Sequence, residues 1–405
     1  MGQTVLTKKE LIAELIERNV SEIIRPEELE QLLASAKPLK VYFGVDPSSP
    51  DIHLGHAVPL WKLRQFQDLG HHIILLIGDF TAQIGDPTGK SKERLPLTHA
   101  TVLANAKSYK DQAAKILQFS GKNAAQMKFN SEWLSKLTLE EVIELAGHFT
   151  VQQMIERDMY QERLKTGQPI GLHEFLYPLM VGYDSVKLDV DVEIGGNDQL
   201  FNIKAGRTLM EKVKGKKKVV LVTDLLTGSD GSKMSKSFGN IIPITATPAE
   251  MFGQLMATHD KLIEEYARMC SDMHADELDA LAKRLSSAEN PRDIKMDVAQ
   301  RIVARYHGSE RATKAKDQFV STFSQKHQST EATELSFTTP SILLVDLIVH
   351  AESISRSEAR RLVLAGAVDV DGVVQTNPHD IILLEKPKLV KIGKHRFVRA
   401  YMKRS

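Results

Sequence analysis

Val41-Tyr42-Phe43-Gly44-Val45, then His53-Leu54-Gly55-His56, then Ile73-Ile74-Leu75-Leu76-Ile77 are the blocks on which the fold turns. The first and last are near-continuous apolar runs of strand length, which suits strands buried on both faces. Between them, residues 46–51 hold two prolines and two serines and read as a loop. A helical pattern then runs from about Leu54 to Leu69 and stops at Gly70. Strand, helix and strand with short links predict a right-handed parallel unit. Val190 to Ile194 and Val219 to Val222 read as further strands of the same α/β sheet.

Outward from this unit the pattern changes. Leu11, Ile12, Leu15, Ile16 and Val20 fall at helical spacing and predict an amphipathic first helix. Helical patterns dominate residues 101–158 and again 247–323. Residues 325–339 are polar and nearly free of large apolar side chains, so they read as a linker. The expected division is a Rossmann-like parallel-sheet domain at 1–245, a helical domain at 246–324, the linker, and a small α+β domain at 340–405.

The 405 residues are 42% hydrophobic and 26% charged, with a formal net charge of +1. That is a globular composition, and the total charge says nothing about a nucleic-acid partner. The single cysteine, Cys270, excludes an internal disulfide and a cysteine-based zinc site and suits a reducing compartment. The longest apolar runs are far short of a membrane span, and no signal-peptide run opens the chain. The expectation is a cytoplasmic protein with no membrane partner.

Two motifs carry chemistry. His53-Leu54-Gly55-His56 falls where a loop enters a helix, and a helix N-terminus favours phosphate. Histidines three apart share one face of the first turn and can donate to a phosphate as charge builds. Gly55 leaves room for a flat base to approach the backbone. Lys233-Met234-Ser235-Lys236-Ser237 lies between Gly228-Ser229-Asp230-Gly231 and Gly239. Glycines on both sides suggest a loop that closes two lysines over a triphosphate. Singly, each motif is compatible with solvated surface residues. Gly89-Lys90-Ser91 looks like the end of a P-loop, but Ile84, not glycine, occupies the required earlier position.

Together, in this order, the two motifs resemble the HIGH and KMSKS signatures of class I aminoacyl-tRNA synthetases, with Leu54 in place of isoleucine. Further stretches are similar to the bacterial-type tyrosyl-tRNA synthetases. These include Tyr42 to Pro47, Ile84-Gly85-Asp86-Pro87-Thr88-Gly89-Lys90-Ser91, Leu176-Tyr177-Pro178-Leu179 with Gly182-Tyr183-Asp184, and Ile194-Gly195-Gly196-Asn197-Asp198-Gln199. The resemblance implies an enzyme that joins L-tyrosine to tRNA(Tyr) with ATP as substrate and Mg²⁺, as a homodimer.

It also implies roles. Tyr42 and Asp184 would pair the substrate phenol, and a site built to pair a hydroxyl rejects its analogue by roughly 10⁴–10⁵. Asp86 and Tyr177 would hold the α-ammonium, and Gln199 would lie beside the carboxylate. Asp46, Gly196 and Asp198 would lie near the adenosine ribose. His53, Gly55, His56, Lys233, Met234, Ser235 and Lys236 would bind ATP, with His53 and His56 on the phosphates. Lys90, Arg94, Lys233 and Lys236 would hold the departing pyrophosphate. One position departs: where the family usually has a glutamine helping to bind the amino group, this chain has Val181. A hydrogen bond lost to a charged group is worth roughly 1.5–3 kcal/mol, which predicts weaker tyrosine binding by about tenfold or more.

At the other end, residues 353–363 read as a short amphipathic helix that gathers Arg356, Arg360 and Arg361 on one side. From Ser355 to Ser405 there are eleven Lys or Arg against five Asp or Glu. That local excess is a footprint for an RNA backbone, and the helix–turn–strand pattern resembles the S4 RNA-binding domain. Lys212 to Lys218 read as a solvated basic loop. Two other readings stand beside the synthetase: a smaller nucleotidylyltransferase, disfavoured by the lysine loop and basic tail, and an RNA-binding paralogue without catalysis, disfavoured by retention of both histidines and both lysines.

Overall fold

The computed structural model describes residues 5–88, 97–235, 238–329, 333–393 and 396–403, with side chains omitted for 322–329. Lys90, Arg94 and Lys236 lie outside the described residues. The chain forms two units, Met1–Lys316 and Asp317–Ser405.

The first unit is organised by a six-stranded sheet of order β1-β6-β5-β2-β3-β4. The strands are β1 (Val20–Ile24), β2 (Lys40–Val45), β3 (His72–Ile77), β4 (Gln126–Phe129), β5 (Val192–Gly196) and β6 (Val219–Thr223). All neighbours are parallel except β1, which runs antiparallel to β6. α3 (Leu54–Asp68) is the crossover between β2 and β3. From β2 the chain adds β3 and β4 on one side, then returns to add β5 and β6 on the other. That reversal opens a crevice at the carboxyl ends of β2 and β5, where ligands of open α/β sheets bind.

The expected strands are present, and two more were hidden. Val20 does not continue the first helix. That helix, α1, is Lys9–Glu17, and Val20 opens β1 after a left-handed turn at Asn19. β4 is a four-residue edge strand inside the stretch that reads as helical. Edge strands are half solvated, so they lack the long apolar run that marks β3 and β6.

Two helices, Leu176–Leu188 and Leu200–Lys214, lie against each other at close range. Gly182 allows this, because a Cβ there would sit 2.9 Å from Leu209 Cδ1 and 3.2 Å from the Gly206 nitrogen. The helix Ile263–Cys270 and the end of the helix Pro291–His307 pack on α3. The Trp61 indole donates to the Tyr306 hydroxyl at 3.0 Å, and the Arg305 guanidinium lies 3.6 Å from the Trp61 ring centre.

The second unit has its own apolar core, formed by Leu344, Val345, Leu347, Ile348, Ala359, Val363 and strand residues such as Val390 and Val398. Its five-stranded sheet contains Val368–Val370, Val373–Gln375, Lys388–Ile392, Arg396–Met402 and Thr333–Phe337. Within the stretch expected as a linker at 325–339, residues 325–329 are helical and 333–337 form a strand. The helix Ser309–Ser329 runs into it, and Thr333–Phe337 pairs in parallel with Arg396–Met402. Thr333, Glu334 and Ser336 are exposed on this edge strand, while Leu335 and Phe337 alternate inward and pack on the core. No helix among the described residues is long and apolar enough to cross a membrane.

Candidate active site

The crevice holds a cavity of about 310 Å³. Its lining gathers almost every residue singled out from sequence: Tyr42, Asp46, His53, Gly55, His56, Asp86, Tyr177, Val181, Asp184, Gly196, Asp198, Gln199, Lys233 and Met234. Ser235 is beside it on the lysine loop. The cavity has two ends of different character.

The inner end is buried and polar. Tyr42 projects from β2, and its hydroxyl meets Ser185 Oγ at 2.8 Å. Asp184, 2% exposed, accepts from the Asn130 amide at 3.1 Å and from the Trp133 indole at 2.7 Å. Burial pushes the Asp184 carboxyl well above the usual carboxylate range, opposed by those two donors. Burial likewise pushes the Tyr42 phenol up, reinforced by the charges of Glu193 and Asp184. Loss of water disfavours the charged form of both groups, so each meets a ligand through hydrogen bonds already directed by the protein.

Toward the middle, Asp46 leaves the end of β2 and accepts from the Thr81 hydroxyl at 2.7 Å and from the Tyr177 hydroxyl at 2.9 Å. Gly78, at the end of β3, makes this possible: a Cβ there would fall 2.0 Å from Asp46 Oδ1. Tyr177, expected with Asp86 at the α-ammonium, has its hydroxyl bonded to Asp46. Asp86 accepts instead from the Thr88 amide at 3.0 Å, the Thr88 hydroxyl at 2.6 Å and the Gln199 amide at 2.7 Å. Arg157 is also at hand. It donates to Thr88 at 2.7 Å, lies 4.6 Å from the Phe201 ring centre, and feels the Asp86 charge. Val181 lines the cavity from the helix Leu176–Leu188, one turn after Tyr177, half-buried and without a polar atom on its side chain.

The outer end is built from the two motifs. His53 is the N-cap of α3, in extended conformation, and His56 stacks on it with ring centres 3.9 Å apart and planes 27° apart. Leu54 N–H bonds to the Ile242 carbonyl at 2.9 Å, and His53 forms a bridge with Pro243. These contacts tie the helix start to the segment just after the lysine loop. Gly55 keeps the join close, since a Cβ there would lie 3.0 Å from Met234 Sδ. Lys233 reaches to 3.7 Å from Asp198, whose carboxyl is raised by burial and held back by that lysine.

The loop around Lys233 is organised by one buried amide. Asn240 donates to Asp230 at 2.8 Å, to Ser232 at 3.0 Å and to the Lys233 carbonyl at 3.1 Å, and it accepts from Ser235 N–H at 2.8 Å. The Asn240 amide, with the Ser232 N–H and hydroxyl, holds Asp230 down to about 2. Gly228 leaves the space, because a Cβ there would meet the Asn240 amide nitrogen at 2.2 Å.

Sequence reasoning missed Asn130, Trp133, Ser185, Glu193, Lys218, Arg157 and Asn240. None belongs to a local motif. Lys218 also corrects an expectation: it is not part of a solvated basic loop but 0% exposed and paired with Glu193. Cys270 is a buried thiol, raised to about 12 by burial, and is a packing residue.

Comparison with known proteins gives the following. Residues 34–324 match the family described as tRNA synthetases class I (W and Y). The chain is 45% identical over 394 residues to a tyrosine–tRNA ligase of Moorella thermoacetica, covering 96% of this chain and 95% of that one. It is 43% identical over 391 residues to a tyrosine–tRNA ligase of Thermotoga maritima, covering 95% and 96%. Among solved structures, a C-terminally truncated mitochondrial tyrosyl-tRNA synthetase of Aspergillus nidulans superposes with a TM-score of 0.64 at 25% identity, covering 78% of this chain and 95% of that one. A tyrosyl-tRNA synthetase of Archaeoglobus fulgidus complexed with L-tyrosine shares the fold, with a TM-score of 0.59 at 24% identity, covering 77% and 99%.

Proposed function

The chain belongs to the class I tRNA synthetases (W and Y), and from that premise we propose that it is a tyrosine–tRNA ligase. The observation that carries the amino acid is the inner end of the cavity. The Tyr42 hydroxyl and the buried Asp184 carboxyl group line one cavity. A buried polar pair of this kind disfavours phenylalanine, which would leave both groups unpaired.

In the first step the tyrosine carboxylate attacks the α-phosphate of ATP, giving tyrosyl-adenylate and pyrophosphate. No protein nucleophile is required, so the protein's contribution is positioning and charge stabilisation. Tyr42 and Asp184 set the ring. Asp86 and Gln199 face the amino and carboxylate groups, and Asp46, Gly196 and Asp198 lie where the nucleoside would rest. His53 and His56 at the start of α3 donate to the phosphates, and Lys233 with Met234 covers them. Lys90, Arg94 and Lys236 are assigned to the leaving pyrophosphate from sequence alone. Among the described residues no group of three or more His, Cys, Asp or Glu is placed to hold a metal ion. Mg²⁺ would therefore arrive on the triphosphate. In the second step a ribose hydroxyl at the tRNA 3′ end attacks the acyl carbonyl and AMP leaves.

The domain at 340–405 is proposed to contact tRNA through Arg356, Arg360 and Arg361, all exposed on the helix Arg356–Leu364. Arg356 is steadied by Asp346 at 2.6 Å. A homodimer is supported by exposed apolar side chains along residues 139–172, among them Leu139 at 76% and Leu172 at 79%. The cytoplasm is where such a substrate set is found. ATP–pyrophosphate exchange across the twenty amino acids tests the main reading. The expected result is exchange with tyrosine alone, and exchange with another amino acid in its place overturns it.

A further inference from the structure

A chain of donors runs into Asp86, and it begins at a residue with no part in the two chemical steps. Asp86, Gln199 and Asn202 all line the cavity. Gln199 closes the short turn Asn197–Gln199 and takes the N-cap position of the helix Leu200–Lys214. Asn202 follows three residues on, so both side chains share one face of the first turn. Asn202 Nδ2 donates to Gln199 Oε1 at 2.8 Å, and Gln199 Nε2 donates to Asp86 Oδ2 at 2.7 Å. Asp86 Oδ1 is taken by the Thr88 N–H and hydroxyl. Asn202 is fully buried, and among the described residues its Oδ1 has no hydrogen-bond partner.

The donor inventory leaves one arrangement of the two amides. A carboxylate only accepts, so the end of Gln199 that meets Asp86 is its N–H₂. The Gln199 oxygen therefore points to Asn202, which must answer with its own N–H₂. Gln199 Nε2 carries two protons and Asp86 Oδ2 takes one, so the other is left for a ligand. Helix capping does not explain Asn202. The free backbone groups at a helix start are N–H donors, and they call for acceptors. Asn202 instead gives its donor to a side chain and leaves its oxygen alone. Buried polar groups are normally paired, so an amide with an orphan oxygen is placed here for the bond that it donates.

We infer that Asn202 is a positioning residue that locks the Gln199 amide with its N–H₂, not its oxygen, available to the carboxylate of the ligand. This rests on the tyrosine reading, in which Gln199 lies beside that carboxylate. The carboxylate is the nucleophile of the first step. An amide N–H holds it, whereas an amide oxygen turned into the same space repels it. Without Asn202, Gln199 Oε1 loses its protein donor and the amide is free to turn. The ring and the amino group of a ligand do not use this N–H, so the effect is confined to ligands that carry a carboxylate.

The test compares binding of tyrosine with that of tyramine, which keeps the phenol and the ammonium and lacks the carboxylate. Equilibrium dialysis, direct for tyrosine and by competition for tyramine, gives both dissociation constants. Asn202→Leu removes the donor at nearly constant volume, and Asn202→Asp puts an acceptor in its place at constant shape. In each, the preference for tyrosine over tyramine is expected to fall roughly three- to tenfold, the worth of one hydrogen bond. Gln199→Leu should lower the same preference, and adding Asn202→Leu to it should change nothing more, because Asn202 acts through Gln199. A preference unchanged in both Asn202 variants while Gln199→Leu lowers it, or an equal loss for the two ligands, overturns the inference and leaves the tyrosine reading intact. Gln199→Leu without effect removes the placement of Gln199 at the carboxylate, and the inference with it. A wild type that does not bind tyrosine overturns the tyrosine reading itself.

Discussion

The two ends of the cavity are built on opposite plans. At the inner end Asp184, Asn130, Trp133, Tyr42, Ser185, Glu193 and Lys218 come from two strands, two helices and the loops beside them. Each is fixed by at least one hydrogen bond to another. At the outer end the chemistry sits on two contiguous motifs, one capping α3 and one on a loop ordered by Asn240. An end fixed by the core suits recognition of one rigid ring. An end made from a helix N-terminus and a loop suits phosphates, whose charge grows during reaction. Substitutions at the outer end should therefore act on kcat, and those at the inner end on selectivity.

The largest effect is expected at the outer end. His56→Ala should lower the rate of tyrosyl-adenylate formation by roughly 10²–10³, the usual consequence of removing one transition-state donor. Single-turnover kinetics read the rate, and equilibrium dialysis reads tyrosine binding, which should stay within twofold. An equal loss in both would break the division between the two ends.

Asp184→Asn should do the reverse. It keeps the side-chain size and turns one oxygen facing the phenol into an N–H₂ donor, and a buried polar group left unpaired costs about 1–3 kcal/mol. The preference for tyrosine over phenylalanine should drop roughly ten- to a hundredfold, with a smaller effect on the rate at saturating tyrosine. A preference that survives intact would assign discrimination to Tyr42 alone.

These two ends were not equally legible in the sequence. His53-Leu54-Gly55-His56 and Lys233-Met234-Ser235-Lys236-Ser237 are readable because each is a local run whose spacing already states its geometry. Asn130, Ser185, Glu193 and Lys218 are single residues on four separate elements, brought together only by sheet register and helix packing. Lys218 is the clearest case. It closes a run of lysines, and charge in sequence suggests water, yet its partner Glu193 is 25 residues away on the next strand. The same contrast holds for the fold. β2, β3, β5 and β6 are central and apolar and were evident, whereas β1, β4 and the strand Thr333–Phe337 are edges with only one or two inward apolar side chains, too few to make an apolar run.

Beneath the inner end, the start of the sheet offers a pH test of how far the core fixes it. His71 is fully buried, and its Nδ1 accepts from the Leu39 N–H at 3.2 Å, joining the approaches to β2 and β3. Burial holds the imidazole down to about 4. The unfolded chain protonates near 6.5 while the folded one does not, so stability is complete above that pH and falls as pH drops toward 4. Thermal or urea unfolding should lose about 1 kcal/mol between pH 6.5 and 5.5. His71→Leu, which cannot titrate, should flatten that part of the curve. A slope retained in the variant would assign it to other groups.

Val181 sits between the two ends, and its substitution should give the smallest effect. It lines the cavity one helical turn from Tyr177 and gives the amino group of a bound ligand no polar partner, while Asp86 already bonds to Gln199 and Thr88. Val181→Gln places an amide oxygen within reach of that ammonium. The site is half-buried and was not packed around a longer side chain, so the gain should be less than that of a charged bond in an evolved position. The KM for tyrosine should fall by about three- to tenfold with kcat unchanged, because binding strengthened equally in ground and transition states leaves kcat alone. A KM that stays or rises would mean that Asp86, held by Gln199 and Thr88, already satisfies the ammonium. The amino group would then join the phenol as part of the preorganised end, and the border between the two plans would move outward to His53.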